Sequence, residues 1–160
     1  MNIWNSPACD SLAAEHADNT LVNPVRTHRL KDSGLPNDGL RYWGANKNAP
    51  KSAGNVLDTL AVGDYVIFHV GSPEDRILYV TQVKKTPDMI SDHAKVSTAL
   101  WDTAEWIPYA VSPPIAIDMT TSELNAKLGY ADNHVCLGFR RVTEDRYETV
   151  QKLVLELAFG

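Results

Sequence analysis

Residues 61–86, "AVGDYVIFHVGSPEDRILYVTQVKKT", constrain the fold of this chain more than any other stretch. Gly63-Asp64 makes a turn, and Tyr65–Val70 is a dense run of β-branched and aromatic residues. "SPED" supplies a hairpin turn. "RILYVTQVKKTP" then returns with apolar and polar residues alternating over part of its length. The pair is an antiparallel hairpin around which the other elements must be arranged.

On either side the signals are shorter. Residues 1–17 read as an N-terminal extension in which Trp4 packs onto the body. "SPACDSLAAEHA" suits a short helix there, with Ser6 as N-cap and Pro7 at the first helical position. "NTLVNPV" reads as a first strand ending near Pro24, "DSGLPNDG" as a loop, and "LRYWGA" as a strand. "KNAPKSAGN" is loop, and "NVLDTL" suits a short helix capped by Asn55. "DMISDHAKVSTALWD" is helical or irregular, and "WIPYAV" and "PPIAIDM" are strands. In "TTSELNAKLGY", Thr121 can cap a helix with Leu124 and Leu128 on one face. "VCLGFRRV" holds a last short strand. "TEDRYETVQKLVLELAF" is a C-terminal helix capped by Thr143, with Tyr147, Val150, Val154 and Leu157 as its buried stripe. The order predicts an α+β domain over residues 18–160, a small curved antiparallel or mixed β-barrel with flanking helices.

The chain has 160 residues, 44% apolar and 22% charged, which suits one globular domain with a real core. A net charge of −5 argues against a broadly cationic nucleic-acid binder. The charge is uneven, however. Residues 24–53 carry Arg26, Arg29, Lys31, Arg41, Lys47 and Lys51 against Asp32 and Asp38, a net of +4, which leaves −9 for the rest. The two cysteines, Cys9 and Cys136, read as free thiols of a reducing cytoplasm. No apolar run approaches a membrane span, and the first residues lack the order of a signal peptide. The five histidines are scattered and none pairs with a cysteine at ligand spacing, so neither a metal nor a cofactor is expected.

Catalytic constellations are missing too. There is no nucleophile elbow, and Cys136 lies in the apolar "HVCLGF". His69, between Phe68 and Val70, reads as a structural histidine. Glu74-Asp75 and Glu144-Asp145 fall in a turn and a first helical turn, where acids are ordinary. The spaced glycines of "GLPNDGLRYWG" lack the context of a phosphate loop. The chain is therefore expected to bind rather than to catalyse.

The remaining signal is aromatic: Trp43, Trp101 and Trp106 stand near loop boundaries with Tyr42 and Tyr109 adjacent. Tryptophans in a small domain are commonly core. Against that, Gly44 follows Trp43 and removes bulk where a flat ligand could approach, and Asn46 and Asn48 can donate and accept. Strand alternation puts Tyr42 and Trp43 on opposite faces, so one can serve the core and the other a pocket. A nucleobase stacked between indoles suits this set, with Arg26, Arg41, Lys47 and Lys51 meeting phosphates.

"LRYWGANKN", "LDTLAVGDYVIFH" and "ILYVTQVKKTPD", taken in order, resemble prokaryotic members of the YTH/EVE group within the PUA-like superfamily. The downstream order "LW…EWIPYAV…PIAID…SELNAKLGY…GFRRVTEDRYETV" resembles N-terminal reader domains of modification-dependent restriction proteins, McrBC-type or nuclease-fused. The resemblance covers roughly residues 19–150. It implies a small barrel that flips a modified base into an aromatic cage. Carried over by position, Trp43 matches the first wall and Gly44 the residue whose backbone faces the base. Trp101 is the second wall, with Trp106 in reserve, and Tyr42 and Asn46 stand nearby. The sequence lacks a third wall and differs from eukaryotic YTH domains in loop length. The partner implied is methylated DNA rather than RNA, with 6-methyladenine ahead of methylcytosine, and with a nuclease or NTPase fused or associated. The alternatives are a stand-alone EVE- or ASCH-type RNA-binding domain and a modified-nucleoside hydrolase.

Overall fold

The structure, a computed structural model, describes residues 1–8, 11–46, 57–71, 77–129 and 139–159. Strands β3 (Tyr65–Val70) and β4 (Ile77–Lys85) form the expected antiparallel hairpin, in register from Tyr65 opposite Gln82 to Val70 opposite Ile77. The other edge of β4 serves two strands. Leu78–Val80 pair with β6 (Ile115–Thr120), while Val83 and Lys85 pair with β5 (Trp106–Val111). The register shifts between Ile77 and Leu78 and again between Val83 and Lys85. Bulges bend a strand and raise its twist, so the sheet curls around β4. The strand order is β2-β5-β4-β3-β1-β7, with β6 branching from β4. Here β1 is Ile3–Ala8, β2 is Arg41–Asn46 and β7 is Arg140–Arg141. Because β1 runs parallel to β3 and the other pairs are antiparallel, the result is a mixed half-barrel with helices on its flanks.

Helix α1 (Ser11–Ala17) runs on into a π-helical turn (Asp18–Val22), followed by α2 (Thr27–Ser33). Helix α3 (His93–Trp101) precedes β5, and α4 (Thr121–Leu128) follows β6. The chain ends on α5 (Glu144–Val150), a second π-helical turn (Gln151–Leu155) and α6 (Glu156–Phe159). Strand alternation divides the core. Val66, Phe68 and Val70 of β3 point inward with Trp4, Trp43, Val83 and Tyr109. Ile67 points outward to Ile3, Leu78, Leu124 of α4 and the C-terminal helices. A third cluster, with Val25, Leu30, Tyr42, Val96, Leu100 and Trp101, packs α2 and α3 against β2 and β5.

Several expectations change. Ser6 and Pro7 do not start a helix; they lie in β1, which is integral to the sheet rather than part of an extension. Trp4 does pack onto the body, stacked on Phe139 with 5.0 Å between ring centroids. Its indole N–H donates to the buried Asp64 carboxylate (3.0 Å), which also accepts from the backbone N–H groups of Asn2 and Ala61. "NTLVNPV" is not a strand: the alanine-rich α1 carries its helical path through Thr20 and Leu21, and a short apolar run serves a buried helix as well as a strand. Thr120, not Thr121, caps α4. Its hydroxyl accepts from the Glu123 N–H (3.1 Å), and the Glu123 carboxylate accepts from the Thr120 N–H (3.0 Å). Thr121 instead bonds His69 Nδ1 (3.0 Å), and Asn5 bonds His69 Nε2 (2.9 Å), which makes His69 the structural histidine expected.

Thr143 takes the N-cap position of α5 without bonding a helix N–H. Its hydroxyl bonds Asp145 and holds that carboxyl below its ordinary value. The buried stripe begins as expected with Val150 and Val154 but then shifts. The π-helical turn inserts extra backbone per turn, so Leu155 is buried (7% exposed) and Leu157 faces solvent (62%). The 47–55 loop and its Asn55 cap, the "SPED" turn, Cys9, Cys136 and Glu74-Asp75 lie outside the described residues. So does "VCLG", which precedes Phe139 and β7.

The shifted stripe is testable by thermal or denaturant unfolding. Leu155→Ala is expected to destabilise the domain by about 2–4 kcal/mol, as for a large-to-small core change. Leu157→Ala is expected to stay within about 0.5 kcal/mol, as for a surface site. The reverse order would restore the uninterrupted helix.

Candidate nucleic-acid interface

Strand β2 is the free edge of the curled sheet. Its register runs from Arg41 opposite Val111 to Asn46 opposite Trp106, and it places Gly44 opposite Pro108. Pro108 has no N–H to offer. Two residues before Gly44, the Tyr42 carbonyl points off the edge and accepts from Thr20 Oγ1 (2.8 Å). Alternation along an antiparallel ladder gives Gly44 the same sense, so its backbone groups also face off the edge.

Beside that edge lies a pocket of about 80 Å³, lined by Leu12, Ala13 and His16 of α1, Trp43 and Gly44 of β2, Trp101 of α3 and Trp106 of β5. Three indoles thus meet at one opening. Trp43 and Trp101 are mostly buried (7% and 4% exposed), while Trp106 is partly exposed. The glycine is what lets them gather. A Cβ on Gly44 would come within 3.0 Å of Trp106 Cβ, 3.2 Å of Trp101 Cζ3 and 3.2 Å of the Ile107 carbonyl. The space that Gly44 opens, expected to admit a flat ligand, is filled first by two tryptophans.

The connection between α3 and β5 sets the spacing of those tryptophans. Asp102 closes α3 in the left-handed conformation (φ 60°), with its N–H bonded to the Thr98 carbonyl. The buried Ser97 hydroxyl donates to the Thr103 carbonyl and accepts from the Trp106 N–H (3.1 Å). Trp101 is held from the other side, its indole N–H donating to Thr20 Oγ1 (3.0 Å). Trp43 packs edge-on against Phe68, with 5.9 Å between centroids and 78° between planes.

Of the residues singled out in the sequence, Trp43, Gly44, Trp101 and Trp106 come together here. Tyr42 does not: it is fully buried on the opposite face, in the α2–α3 cluster. Burial, then the nearby Asp38 charge, push its phenol up to about 12, so it stays neutral. Asn46 ends β2, and its side chain lies outside the described residues, as do Lys47, Asn48 and Lys51. Arg41 is turned inward. One of its guanidinium nitrogens, Nη1, donates to the Leu21 and Val22 carbonyls (3.1 and 3.0 Å) at the end of the π-helical turn, and desolvation lowers its pKa. Arg29 does the same for α3, donating to the Ala99 and Leu100 carbonyls (3.1 and 3.0 Å). Helix ends leave carbonyls unpaired, and arginine forks suit them. The basic rim is therefore smaller than the residue count implied. Arg26 and Lys31, both on the surface of α2 and its approach, are the cations of that segment that remain exposed among the described residues. Leu12, Ala13 and His16 were missed, although the four-residue spacing of Leu12 and His16 on a helix was a usable signal.

Two solved structures share this architecture. The N-terminal domain of Thermococcus gammatolerans McrB, bound to m5C DNA, matches with a TM-score of 0.67 at 14% identity, covering 98% of each chain. The shared fold is the α+β, PUA-like one. Human THYN1, in complex with 5-methylcytosine-containing DNA, matches with a TM-score of 0.52 at 11% identity, covering 96% of this chain and 97% of its own. Neither a protein-family model nor a curated protein matches the sequence.

Thr20 is the joint of the site, so Thr20→Val tests its construction. That nearly isosteric change leaves the buried Trp101 N–H and Tyr42 carbonyl without this partner, at about 1–3 kcal/mol for each unsatisfied group. Chemical denaturation is expected to report a loss of about 2–6 kcal/mol for the two groups together, with changed tryptophan fluorescence. A neutral result would mean that the three walls are held independently.

Proposed function

We propose that this domain is a DNA-binding reader that takes a flipped modified base, 5-methylcytosine in the first instance, into the pocket between α1 and the β2 edge. The observation that carries the reading is a small opening walled by three indoles, on a fold shared with two structures solved with methylcytosine DNA. At about 80 Å³ the pocket is far below the ~300–1,000 Å³ of drug-sized ligand sites, which favours a single planar ring. Both points argue for a methylated pyrimidine over the 6-methyladenine that the YTH resemblance put first.

The energetics are modest. Extruding a base costs a few kcal/mol, and stacking on an aromatic side chain returns about 1–3 kcal/mol. Burying one methyl contributes about 0.8 kcal/mol, so apolar contact with that group supplies a few-fold preference and no more. Arg29 and Arg41 are engaged with helix-end carbonyls, so few cations among the described residues remain for phosphates, and a shallow salt dependence is expected. In this reading the domain is the targeting module of a cytoplasmic restriction system, with nuclease or NTPase activity supplied by another domain or subunit.

Fluorescence anisotropy with duplexes carrying one 5-methylcytosine, one 6-methyladenine or neither, over a range of salt, tests it. The 5-methylcytosine duplex is expected to bind several-fold more tightly than the unmodified one. Trp106→Ala should abolish that margin while leaving salt-dependent binding to plain duplex intact. Equal affinities for all three duplexes, or a margin that survives Trp106→Ala, would overturn the assignment.

A further inference from the structure

A base that leaves a duplex breaks the stack on both of its faces. The pocket accounts for the base itself but not for the slot it vacates, roughly 3.4 Å thick between the two neighbouring bases. Left open, that slot sets water against two apolar faces and favours the return of the base. Proteins that unstack DNA fill it with an apolar wedge, a Phe, Leu, Ile, Met or Pro side chain. A wedge has a definable position. It is apolar, exposed in the free protein, and at the mouth of the pocket rather than on its floor.

Leu12 meets that description. Among the described residues lining the pocket it alone is exposed, at 56%; the others are buried or half-buried. Its exposure is not that of an outward helix face. His16 and Thr20 follow it at four-residue steps along α1 and its π-helical extension, and residues so spaced share a face. Both are buried, and Thr20 is bonded to the Tyr42 carbonyl of β2. The face of α1 that packs on the body therefore runs out at Leu12, beside the opening, where the leucine has nothing left to cover it. Trp106 is the other large side chain of the pocket that reaches the surface. It is held in place: its backbone N–H donates to Ser97 Oγ (3.1 Å), and its ring meets the His16 ring at 72° with 6.4 Å between centroids. That fixes Trp106 as a wall and leaves Leu12 as the apolar group free to enter a stack.

We infer that Leu12 is the wedge that fills the slot left by the flipped base, so that the start of α1 enters the stack while the β2 edge holds the base. The assignment rests on the reader function proposed above and adds the residue that keeps the base out of the duplex. A pocket wall touches the base wherever it comes from, whereas a wedge acts only where a stack has been broken.

Anisotropy titrations with two matched duplexes separate these roles. In one, 5-methylcytosine is paired with guanine; in the other it is a bulge with no opposing nucleotide, already outside the stack and leaving no slot behind. Leu12→Ala is expected to weaken binding to the paired duplex by about fivefold or more, as for loss of a buried aliphatic contact, and to leave the bulged duplex within about twofold. Leu12→Met, which keeps an apolar group of similar length, should retain paired binding within about twofold. An equal loss on both duplexes would make Leu12 a wall of the pocket and overturn the inference, as would no loss on either. A wild type that takes the paired but not the bulged base overturns it too, since a base already extruded needs no wedge. Failure of the parent reading shows separately, as wild type binding 5-methylcytosine and cytosine with equal affinity in both duplexes.

Discussion

The site is organised around one buried hydroxyl. Thr20 Oγ1 accepts from the Trp101 indole and lies within donating distance of the Tyr42 carbonyl (2.8 Å) and the His16 carbonyl (3.1 Å). One oxygen thereby joins α1 and its π-helical extension, the end of α3 and the free edge of β2. The hydroxyl carries a single proton, so the two carbonyls compete for it, and the shorter contact to Tyr42 marks the stronger bond. The π-helical turn brings Thr20 to that place, and such turns recur at functional sites for this kind of reason: they re-aim one side chain without ending the helix.

From this joint the rest of the architecture follows. A free sheet edge is normally a liability, because its backbone groups can pair with another chain. Here the π-helical turn packs along the β2 edge, and among the described residues a pocket opens beside Gly44, bordered by α1. That gap is where the indoles gather and where backbone groups point outward. The same fold in the McrB and THYN1 domains, at identities of 14% and 11%, means that overall shape is kept while most side chains differ. Function must then reside in a few positions placed by the scaffold.

What could be read from the sequence divides along a physical line. The β3–β4 hairpin, β5, β6 and α4 were legible because their evidence is local: dense β-branched runs, alternation and a capping box. Strand β1 was not, since its pairing to β3 joins residues about sixty positions apart and its own six residues carry a proline. A helix was expected within residues 1–17, but placing that stretch outside the domain kept Leu12 and His16 out of the candidate site. Trp101 and Trp106 were legible because they stand at element boundaries, and Trp43 because Gly44 follows it within a short strand. How they meet was not: the expected pair of facing indoles is replaced by an edge-on Trp43, an anchored Trp101 and a partly exposed Trp106. Arg29 and Arg41 looked like a cationic surface. Their real work is to satisfy helix-end carbonyls, a demand visible only once the helices are placed.

The central claim is that a single base enters beside the β2 edge. The chain has four tryptophans, hence four indole N–H resonances for NMR. Three line the pocket, and the fourth, Trp4, is bonded to Asp64 in the barrel interior. On titration with a duplex bearing one 5-methylcytosine, the Trp106 and Trp43 signals should move while Trp4 holds its position. Saturation of the protein with no shift at Trp106 or Trp43, or with Trp4 moving as far as they do, would contradict the account.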